Sequence, residues 1–353
     1  MSAMNPDMLE TFCLQAVGSR DLGSEFIAAL AELMAARLDR GSTFGARILD
    51  WPGNARADAL ALRAAGGLHA LARSGRDAGL AAAYPPNPLD RDRLWAAVTG
   101  AIAAHDAFLT AYLDSPPQTN EVRRSAIILG GCLHVAAATD LPIALFEIGA
   151  SAGLNLAFDR YRYELGNGLA WGDPASPVTI PSEWRGDLPP LDTPLAVASR
   201  AGCDLRPISP ASAADRVRLL SYIWPDQGDR LARTAAALDL AAAAPWRVEQ
   251  ADAAKWVAAH LARRLPGKAR VLVQTMVWHY LPQAAKDAIT ATITTAAAAA
   301  TADAPLAWLR MDEEGHDFHA VVRLTLWPGG VERHIANVDY HARWTEWLPT
   351  KAA

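Results

Sequence analysis

Residues 145–158, LFEIGASAGLNLAF, constrain the fold of this chain more than any other stretch. An apolar run of strand character ends in Glu147, a turn of small residues runs from Gly149 to Gly153, and a helix-like run begins at Leu154. Glycines permit a sharp reversal and let a ligand approach the backbone, because no Cβ atom stands in the way. The following helix would present free N–H groups and the positive end of its dipole. The segment therefore predicts a strand, a tight turn and a helix.

The turn allows three interpretations. In the first, it is the loop of a nucleotide cofactor, and the carboxylate of Glu147 accepts hydrogen bonds from a sugar or an amine. In the second, the spacing Gly-x-Ser-x-Gly is a nucleophile elbow with Ser151 as the nucleophile. In the third, it is a tight turn without a ligand. The motif by itself leaves all three open.

The composition is that of a globular protein with ample material for a core. Among the 353 residues, 51% are hydrophobic and 20% are charged, and the length allows one large domain or two of ordinary size. The net charge of −5, without a block of lysines and arginines, does not indicate a nucleic-acid-binding surface. We therefore expect a small-molecule partner and no nucleic acid.

The cysteines and the N-terminal sequence favour a soluble cytoplasmic protein. Cys13, Cys132 and Cys203 are odd in number and far apart, which predicts neither a disulfide framework nor a CxxC metal pair. The N-terminal sequence is acidic and lacks the basic region and apolar run of a signal peptide. The apolar stretches are too short to span a bilayer, so no membrane partner is expected. The sequence leaves the oligomeric state open.

Helical spacing dominates the N-terminal part of the chain. Apolar residues recur at intervals of three and four over residues 8–82, and a further helix is predicted over Asp90–Leu113. Another helical segment runs toward Ala138. Because no convincing strand precedes residue 143, we expect a helical N-terminal domain over residues 1–130.

From residue 143 onward, strands alternate with helices, and a Pro-Gly-Gly turn joins the last two strands as an antiparallel hairpin. This alternation predicts an α/β domain over residues 131–353, with a seven-stranded, doubly wound, mostly parallel sheet covered by helices on both faces. The long Pro- and Gly-rich segment 164–193 is expected to be a covering insertion. The predicted strands are Ile143–Ile148, Leu195–Ser199, Trp246–Gln250, Val271–Val277, Leu306–Met311, Val321–Trp327 and Val331–Val338.

The order of elements discriminates between the first two interpretations. In an α/β-hydrolase, several strands precede the nucleophile elbow, whereas the residues upstream of this turn read as helices. A hydrolase of this kind also has a His-Gly-Gly run in its oxyanion loop. Residues 130–134, GGCLH, have the wrong order and lie within a predicted helix. The order therefore favours the cofactor loop.

Over about residues 140–345, the chain resembles the class I S-adenosylmethionine-dependent methyltransferases, and more closely it resembles an uncharacterised bacterial domain-of-unknown-function family. This resemblance implies a Rossmann-like methyltransferase fold. The resemblance covers most of the chain and is fairly specific to the family. The segments that carry it are PQTNEVRRS (117–125), LFEIGASAGLNL (145–156), RAGCDLRPI (200–208), YIWPDQGDR (222–230) and VWHYLP (277–282).

The resemblance implies S-adenosylmethionine as the cofactor. Asp204, after the second predicted strand, would accept hydrogen bonds from the ribose hydroxyls. Asp252, after the third, would face the adenine amine, with Ala253 donating from its backbone. Ser151 stands where the common pattern has its middle glycine, and a serine fits there only with ordinary backbone angles and a side chain turned away. The cofactor loop itself would consist of Glu147, Gly149, Ser151 and Gly153.

The resemblance also places a methyl-transfer site after the fourth predicted strand. A histidine there can act as a general base because its pKa lies near neutrality, so His279 is the expected catalytic residue. Aromatic planes with polar groups suit an acceptor pocket, which is expected between the two domains. Its predicted residues are Asn120, Arg124, Trp224, Asp226, Gln227, Trp278 and Tyr280.

Several of these positions also have a structural interpretation. Asp204 could cap a turn, and Asp252 could cap the helix that follows it. His279 could pack like an aromatic residue, and Trp-Pro-Asp at 224–226 also stops a helix. The acids and histidines of segment 313–319 lack the spacing of a helical HExxH zinc site, so no metal is expected.

The sequence thus predicts methyl transfer from S-adenosylmethionine to a small-molecule acceptor. One alternative is an α/β-hydrolase-type esterase with Ser151 as its nucleophile. Another is a nucleotide-binding protein without catalysis. The acceptor and the atom that would be methylated are not predicted.

Overall fold

The computed structural model describes residues 6–315 and 319–349. It shows a mixed α/β protein with a helical N-terminal region and a large, mostly parallel sheet, as predicted. The chain forms two compact units. The helical unit comprises residues 1–119 and 212–235, and the sheet unit comprises residues 120–211 and 236–353.

Within the described residues, no strand precedes residue 143, in agreement with the prediction. The helix predicted over Asp90–Leu113 is present as Arg91–Tyr112. The α-helices are α1 (Pro6–Asp21), α2 (Glu25–Arg37), α3 (Thr43–Leu49), α4 (Leu60–Arg73), α5 (Ala78–Ala83), α6 (Arg91–Tyr112), α7 (Ser125–Thr139), α8 (Ala213–Ser221), α9 (Gly228–Ala242), α10 (Ala253–Leu261) and α11 (Gln283–Ala298).

The helical unit buries the apolar faces of its helices in one core. Phe26, Leu30 and Met34 recur at helical spacing on α2 and are buried. They belong to the same cluster as Phe44 of α3 and Leu68 of α4. This spacing is the pattern that predicts an amphipathic helix, and the packing of these faces is what stabilises the short helices.

Among the described residues, α6 is the one helix that is long and apolar enough, by length and composition, to cross a membrane. Its residues Leu94, Val98 and Leu109 are buried in the core of the helical unit. A core helix of a soluble protein passes the same test, so this single helix is weak evidence for a membrane span. The soluble, cytoplasmic character expected from the sequence stays a prediction.

The sheet unit contains two sheets. The strands are β1 (Ile143–Ile148), β2 (Arg162–Glu164), β3 (Ala170–Trp171), β4 (Thr179–Pro181), β5 (Glu183–Gly186), β6 (Val197–Asp204), β7 (Val248–Gln250), β8 (Ala269–Thr275), β9 (Leu306–Glu313), β10 (Ala320–Trp327), β11 (Glu332–Val338) and β12 (Trp344–Trp347). The main sheet has the order β5-β12-β11-β10-β9-β8-β1-β6-β7, and the small sheet has the order β3-β2-β4.

The main sheet has nine strands, whereas seven were predicted. The additional strands, β5 and β12, have four residues each and pair in parallel at the edge of the sheet. Strands this short carry too little alternation to be recognised from sequence. Trp184 and Trp347 hold them together, because both side chains are buried and their rings meet edge to face with centroids 5.0 Å apart. The expected final hairpin is therefore part of an antiparallel run from β9 to β12.

The parallel part of the main sheet has β1 at its centre. The next two parallel strands in chain order, β6 and β7, lie on one side of β1, and β8 and β9 lie on the other. The direction of winding therefore reverses between β1 and β8. In open α/β sheets, ligands bind outside the carboxyl ends of the strands at such a reversal.

Helices cover both faces of this sheet. On β9, Trp308 packs in the cluster that contains residues of α10 and α11, whereas the next residue, Leu309, contacts α7. Successive residues of a strand point to opposite faces, so α7 lies opposite α10 and α11. Gly130 permits the close approach of α7, because a Cβ atom there would lie 2.1 Å from the Trp347 ring.

The segment after the glycine turn is shorter than the predicted helix. Asn155–Arg160 forms a 3₁₀-helix of six residues, and Ala157 within it has the non-helical angles φ −93° and ψ 15°. The hydroxyl group of Tyr161 donates a hydrogen bond back to the carbonyl of Leu154. The chain continues from Tyr161 directly into β2 at Arg162. The predicted α-helix from Leu154 is therefore wrong.

Candidate functional site

Glu147, near the end of β1, is a buried carboxyl group with an unused acceptor oxygen. It is 2% exposed and is hydrogen-bonded to the side chain of Asn155. Its Oε2 atom has no hydrogen-bond partner among the described residues. Burial, with a smaller contribution from the charge of Asp204, raises the pKa of Glu147 to about 8. Near neutral pH, Glu147 therefore holds a proton unless a cation lies beside it.

Ser151 takes the left-handed backbone conformation, with φ +52°. Ordinary backbone angles, the condition stated above for a serine to fit the cofactor loop, are therefore not met at Ser151. The turn reverses through Ser151 as it does through Gly149 and Gly153, whose φ angles are +69° and +72°. The hydroxyl of Ser151 is buried and has no hydrogen-bond partner in the described part of the chain. The position thus has the backbone of a glycine and a side chain that contributes no hydrogen bond.

The backbone N–H groups of the glycine turn are hydrogen-bonded within the protein. Ser151 donates to Oδ2 of Asp204 at 2.9 Å. Ala152 and Leu154 both donate to Oδ1 of Asn120, at 3.2 Å each. The N–H groups of residues 150 and 153 donate to backbone carbonyls. The turn therefore lacks the set of free, converging N–H groups that holds a phosphate.

The turn after β8 packs directly on the glycine turn. A Cβ atom at Gly149 would lie 2.5 Å from Cγ2 of Val277, so this approach requires glycine. The preceding residue, Met276, also has a left-handed φ of +56°, and its N–H donates to the carbonyl of Met311. Strained residues of this kind cluster at functional sites. In this protein, Ser151 lies on the glycine turn and Met276 lies on the turn after β8, and these two turns are in contact.

The two acids predicted to hold the cofactor follow neighbouring strands. Asp204 is the last residue of β6, and its Oδ1 accepts the N–H of Arg206 at 2.9 Å. Asp252 follows β7 and caps α10 by accepting the N–H of Lys255 at 3.1 Å. Ala253 is the first residue of α10. Both acids have the capping roles considered from the sequence, and each carboxylate keeps lone pairs that a ligand can use.

Trp278, His279 and Tyr280 form a short 3₁₀-helix after β8. Trp278 packs edge to face on Trp308, with ring centroids 5.7 Å apart, and Tyr280 is 77% exposed. The His279 ring lies 3.9 Å from the Tyr280 ring, and burial lowers the pKa of His279. The neutral imidazole that prevails near pH 7 can accept a proton.

Two more of the seven predicted acceptor-binding residues, Asn120 and Arg124, lie with Trp278 and Tyr280 in the sheet unit, outside the strands. Asn120 is buried and holds the glycine turn through its side-chain oxygen. The Nε atom of Arg124 donates to the carbonyl of Tyr340 at 2.9 Å. Asn120 therefore positions the turn, and its contact with an acceptor stays a prediction.

The other three lie in the helical unit. Asp226 accepts hydrogen bonds from Ser24 Oγ at 2.7 Å and from the N–H of Phe26 at 3.2 Å, so it reinforces the N-terminal cap of α2. Trp224 packs against the helical core, and Gln227 accepts a hydrogen bond from Arg230 at 3.0 Å. Within this unit, Asp226 and Trp224 thus have structural partners, and their part in acceptor binding stays a prediction.

Gln274 and Asp312 are buried polar residues that the sequence patterns do not single out. Nε2 of Gln274 donates to Oδ2 of Asp312 at 2.8 Å, while Oε1 of Gln274 and Oδ1 of Asp312 have no partner among the described residues. Burial raises the pKa of Asp312 to about 6, against the effect of the Gln274 hydrogen bond. Gln274 lies level with Ile148 on β1, so this pair also sits near the carboxyl edge. Gln274 is a polar residue within the apolar run VLVQT, and this is the sequence signal that could have identified the pair.

A metal site is not indicated in the part of the chain that the structure describes. No group of three His, Cys, Asp or Glu residues there could hold a metal ion. His316 and Asp317, two residues of segment 313–319, lie outside the described residues. Cys132 and Cys203 are buried thiols without a disulfide.

Comparison with protein families identifies a match that covers nearly the whole chain. The model of this family, described as an uncharacterized protein conserved in bacteria (DUF2332), matches residues 9–347. No curated protein and no solved structure matches the chain. The match includes both the helical unit and the sheet unit.

Proposed function

The chain belongs to the DUF2332 family, and we propose that it binds S-adenosylmethionine at the carboxyl edge of the parallel strands and transfers the methyl group to a small acceptor. The cofactor carries a sulfonium and an ammonium group, and it supplies an electrophilic methyl group when bound. The observations that support this proposal concern charge, hydrogen bonding and the order of the strands.

The Oε2 atom of Glu147, which has no hydrogen-bond partner among the described residues, carries the proposal. A buried acceptor without a donor raises the free energy of the folded protein, and a ligand with N–H donors removes this cost. Because the pKa of Glu147 is raised to about 8, a cationic ligand gains most beside it, since the cation stabilises the ionised form. An ammonium group meets both conditions.

The hydrogen bonding of the glycine turn favours this cofactor over a dinucleotide. A dinucleotide places its pyrophosphate on free N–H groups at a helix N-terminus. In this turn, the N–H groups of Ser151, Ala152 and Leu154 already donate to side chains, and only a short 3₁₀-helix follows. A cofactor without a phosphate needs neither feature.

The strand order supports the same site. The parallel strands lie in the order third, second, first, fourth, fifth, which is the order of doubly wound nucleotide-binding sheets. Asp204 and Asp252 then follow the strands on one side of β1. We propose that Asp204 accepts the ribose hydroxyls and that Asp252 faces the adenine amine, with Ala253 donating from its backbone.

The turn after β8 would form the reaction site. Val277 touches Gly149, so the side chains that follow it lie beside the glycine turn. We propose that Trp278 and Tyr280 exclude water and align the acceptor, and that His279 takes a proton from an acceptor that carries one.

The esterase alternative lacks a corresponding feature. A serine nucleophile needs a base within hydrogen-bond reach. The hydroxyl of Ser151 has no partner of any kind among the described residues. Among the described residues, no base is therefore hydrogen-bonded to the Ser151 hydroxyl to activate it as a nucleophile.

Titration calorimetry with S-adenosylmethionine, S-adenosylhomocysteine and NAD tests the proposal. We expect binding of the first two and none of NAD. Glu147→Gln should weaken S-adenosylmethionine binding ten- to a hundredfold, or about 1.5–3 kcal/mol, because a charge-assisted hydrogen bond is lost. Asp192→Asn, at an exposed acid of the same unit, is the matched control and should bind as the wild type does. Absence of binding at millimolar S-adenosylmethionine would overturn the proposal.

A further inference from the structure

A second concave site lies at the other end of the sheet, away from the glycine turn. A cavity of about 390 Å³ opens between the C-terminal part of α10, the first residues of β8 and the C-terminal half of α11. Its size is within the range of small-molecule sites. Its lining residues are Ala258, Leu261, Ala262, Arg264, Arg270, Ala291, Thr292, Thr295, Ala296 and Ala299.

Arg270, the second residue of β8, is a buried cation that lacks a counter-charge. Its side chain is fully buried, and no carboxylate of the described residues lies within ion-pair distance of it. Nη1 donates to the carbonyls of Leu261 and Arg263, at 3.2 and 3.0 Å, and so caps the C-terminus of α10. Nε and Nη2 have no hydrogen-bond partner within residues 6–315 and 319–349. Capping therefore uses one nitrogen of the guanidinium and leaves the other two unpaired.

Apart from Arg270, no buried side chain in the cavity wall has a free hydrogen-bond donor. The hydroxyls of Thr292 and Thr295 donate to carbonyls of α11, at 2.9 and 3.0 Å. Arg264 is exposed at the rim and adds a second positive charge. The remaining residues of the wall are alanines and one leucine. The cavity thus combines a cationic end with apolar walls.

We propose that this cavity binds a small organic anion with an oxyanion head and an apolar body. The head would accept hydrogen bonds from Nε and Nη2 of Arg270, whose planar fork matches a carboxylate or a phosphate, and would gain from the charge of Arg264. The apolar body would lie on the alanine walls. Such a ligand supplies the counter-charge and the acceptors that a buried guanidinium otherwise lacks. The site is independent of the proposed methyl transfer.

Octanoate, octyl phosphate and 1-octanol distinguish the contributions of the head and the body. We expect octanoate, octyl phosphate or both to bind the full-length protein in calorimetry and to raise its unfolding temperature, and 1-octanol at the same concentration to do neither. The tighter of the two anions identifies the class of head group. Lack of binding by both anions at millimolar concentration would overturn the proposal.

Two variants localise the binding. Arg270→Met removes the charge at similar volume and should weaken anion binding at least tenfold. Ala291→Leu fills the cavity while keeping the guanidinium and should do the same, whereas Ala288→Leu, on an exposed part of α11 outside the cavity, should bind as the wild type does. Unchanged anion binding in Ala291→Leu, or in a folded Arg270→Met, would place the anion elsewhere and contradict the proposal.

Discussion

Ser151 combines a left-handed backbone with a buried hydroxyl group that has no partner. The left-handed conformation costs a residue with a Cβ atom about 1–2 kcal/mol, and an unsatisfied buried hydroxyl costs about 1–3 kcal/mol. Strain of this kind persists where the surroundings fix the backbone. At Ser151, the hydrogen bond from its N–H to Asp204 supplies part of that constraint.

Replacing Ser151 by glycine should therefore stabilise the protein. Ser151→Gly relieves both costs, and the greater freedom of glycine in the unfolded chain offsets part of the gain, so we expect a net increase of about 1 kcal/mol in the free energy of unfolding. Urea denaturation measures this difference. Ser182→Gly is the control, because Ser182 is also buried but donates to the carbonyl of Ala342 at 2.8 Å, and its removal should destabilise.

The same variant addresses the esterase alternative. Ser151→Gly should retain binding of S-adenosylmethionine, since the substitution restores the common glycine pattern. A fluorophosphonate should not label the wild type at Ser151. Covalent labelling at Ser151 that Ser151→Gly abolishes would contradict the assignment of this turn as a cofactor loop.

At the scale of elements, the glycine turn is held from outside its own segment. Asn120, about thirty residues earlier in the chain, accepts the N–H groups of Ala152 and Leu154 with one oxygen. Val277, from the turn after β8, closes over Gly149. The shape of the turn thus depends on three segments that meet at the edge of the sheet. A substitution in any of them should therefore alter the geometry of the proposed ligand site.

Asn120→Ala should loosen this turn. Two buried N–H groups lose their acceptor, each at a cost of about 1–3 kcal/mol, so we expect destabilisation by about 2–6 kcal/mol. Hydrogen exchange of the amides of Ala152 and Leu154 should become faster, and this local readout separates loosening of the turn from a general loss of stability. Asn120→Asp retains an acceptor oxygen and should lose less protection. Unchanged exchange at both amides in Asn120→Ala would show that Asn120 does not hold the turn.

At the scale of the whole molecule, the sequence predicts the elements that depend on neighbouring residues. The apolar run of β1, the small-residue turn and the helical spacing of α2 and α6 are local patterns, and the structure contains all of them. The features that were not predicted arise from contacts between distant residues. Asp226 caps a helix 202 residues away, and β5 forms a strand only because β12 pairs with it. The angle φ of Ser151 likewise follows from the closure of the turn.

The protonation of Glu147 makes ligand binding at the candidate site depend on pH. The ligand-free protein holds a proton on Glu147 up to about pH 8, whereas a bound cation favours the ionised carboxylate. Binding below pH 8 therefore displaces this proton, and affinity should rise with pH until Glu147 is ionised without the ligand. The direction of this dependence follows from the raised pKa of a buried acid. An exposed carboxylate, which is ionised throughout this range, would give no such dependence.

Calorimetric titration with S-adenosylmethionine at pH 7, in buffers that differ in ionisation enthalpy, tests this account most directly. The observed enthalpy should vary with the buffer by an amount that corresponds to release of about one proton per ligand bound. Glu147→Gln should bind more weakly and lose this release, and the difference between the two proteins removes any proton exchanged by the ligand itself. Equal proton release in wild type and Glu147→Gln would contradict the central claim that Glu147 ionises against a cationic ligand.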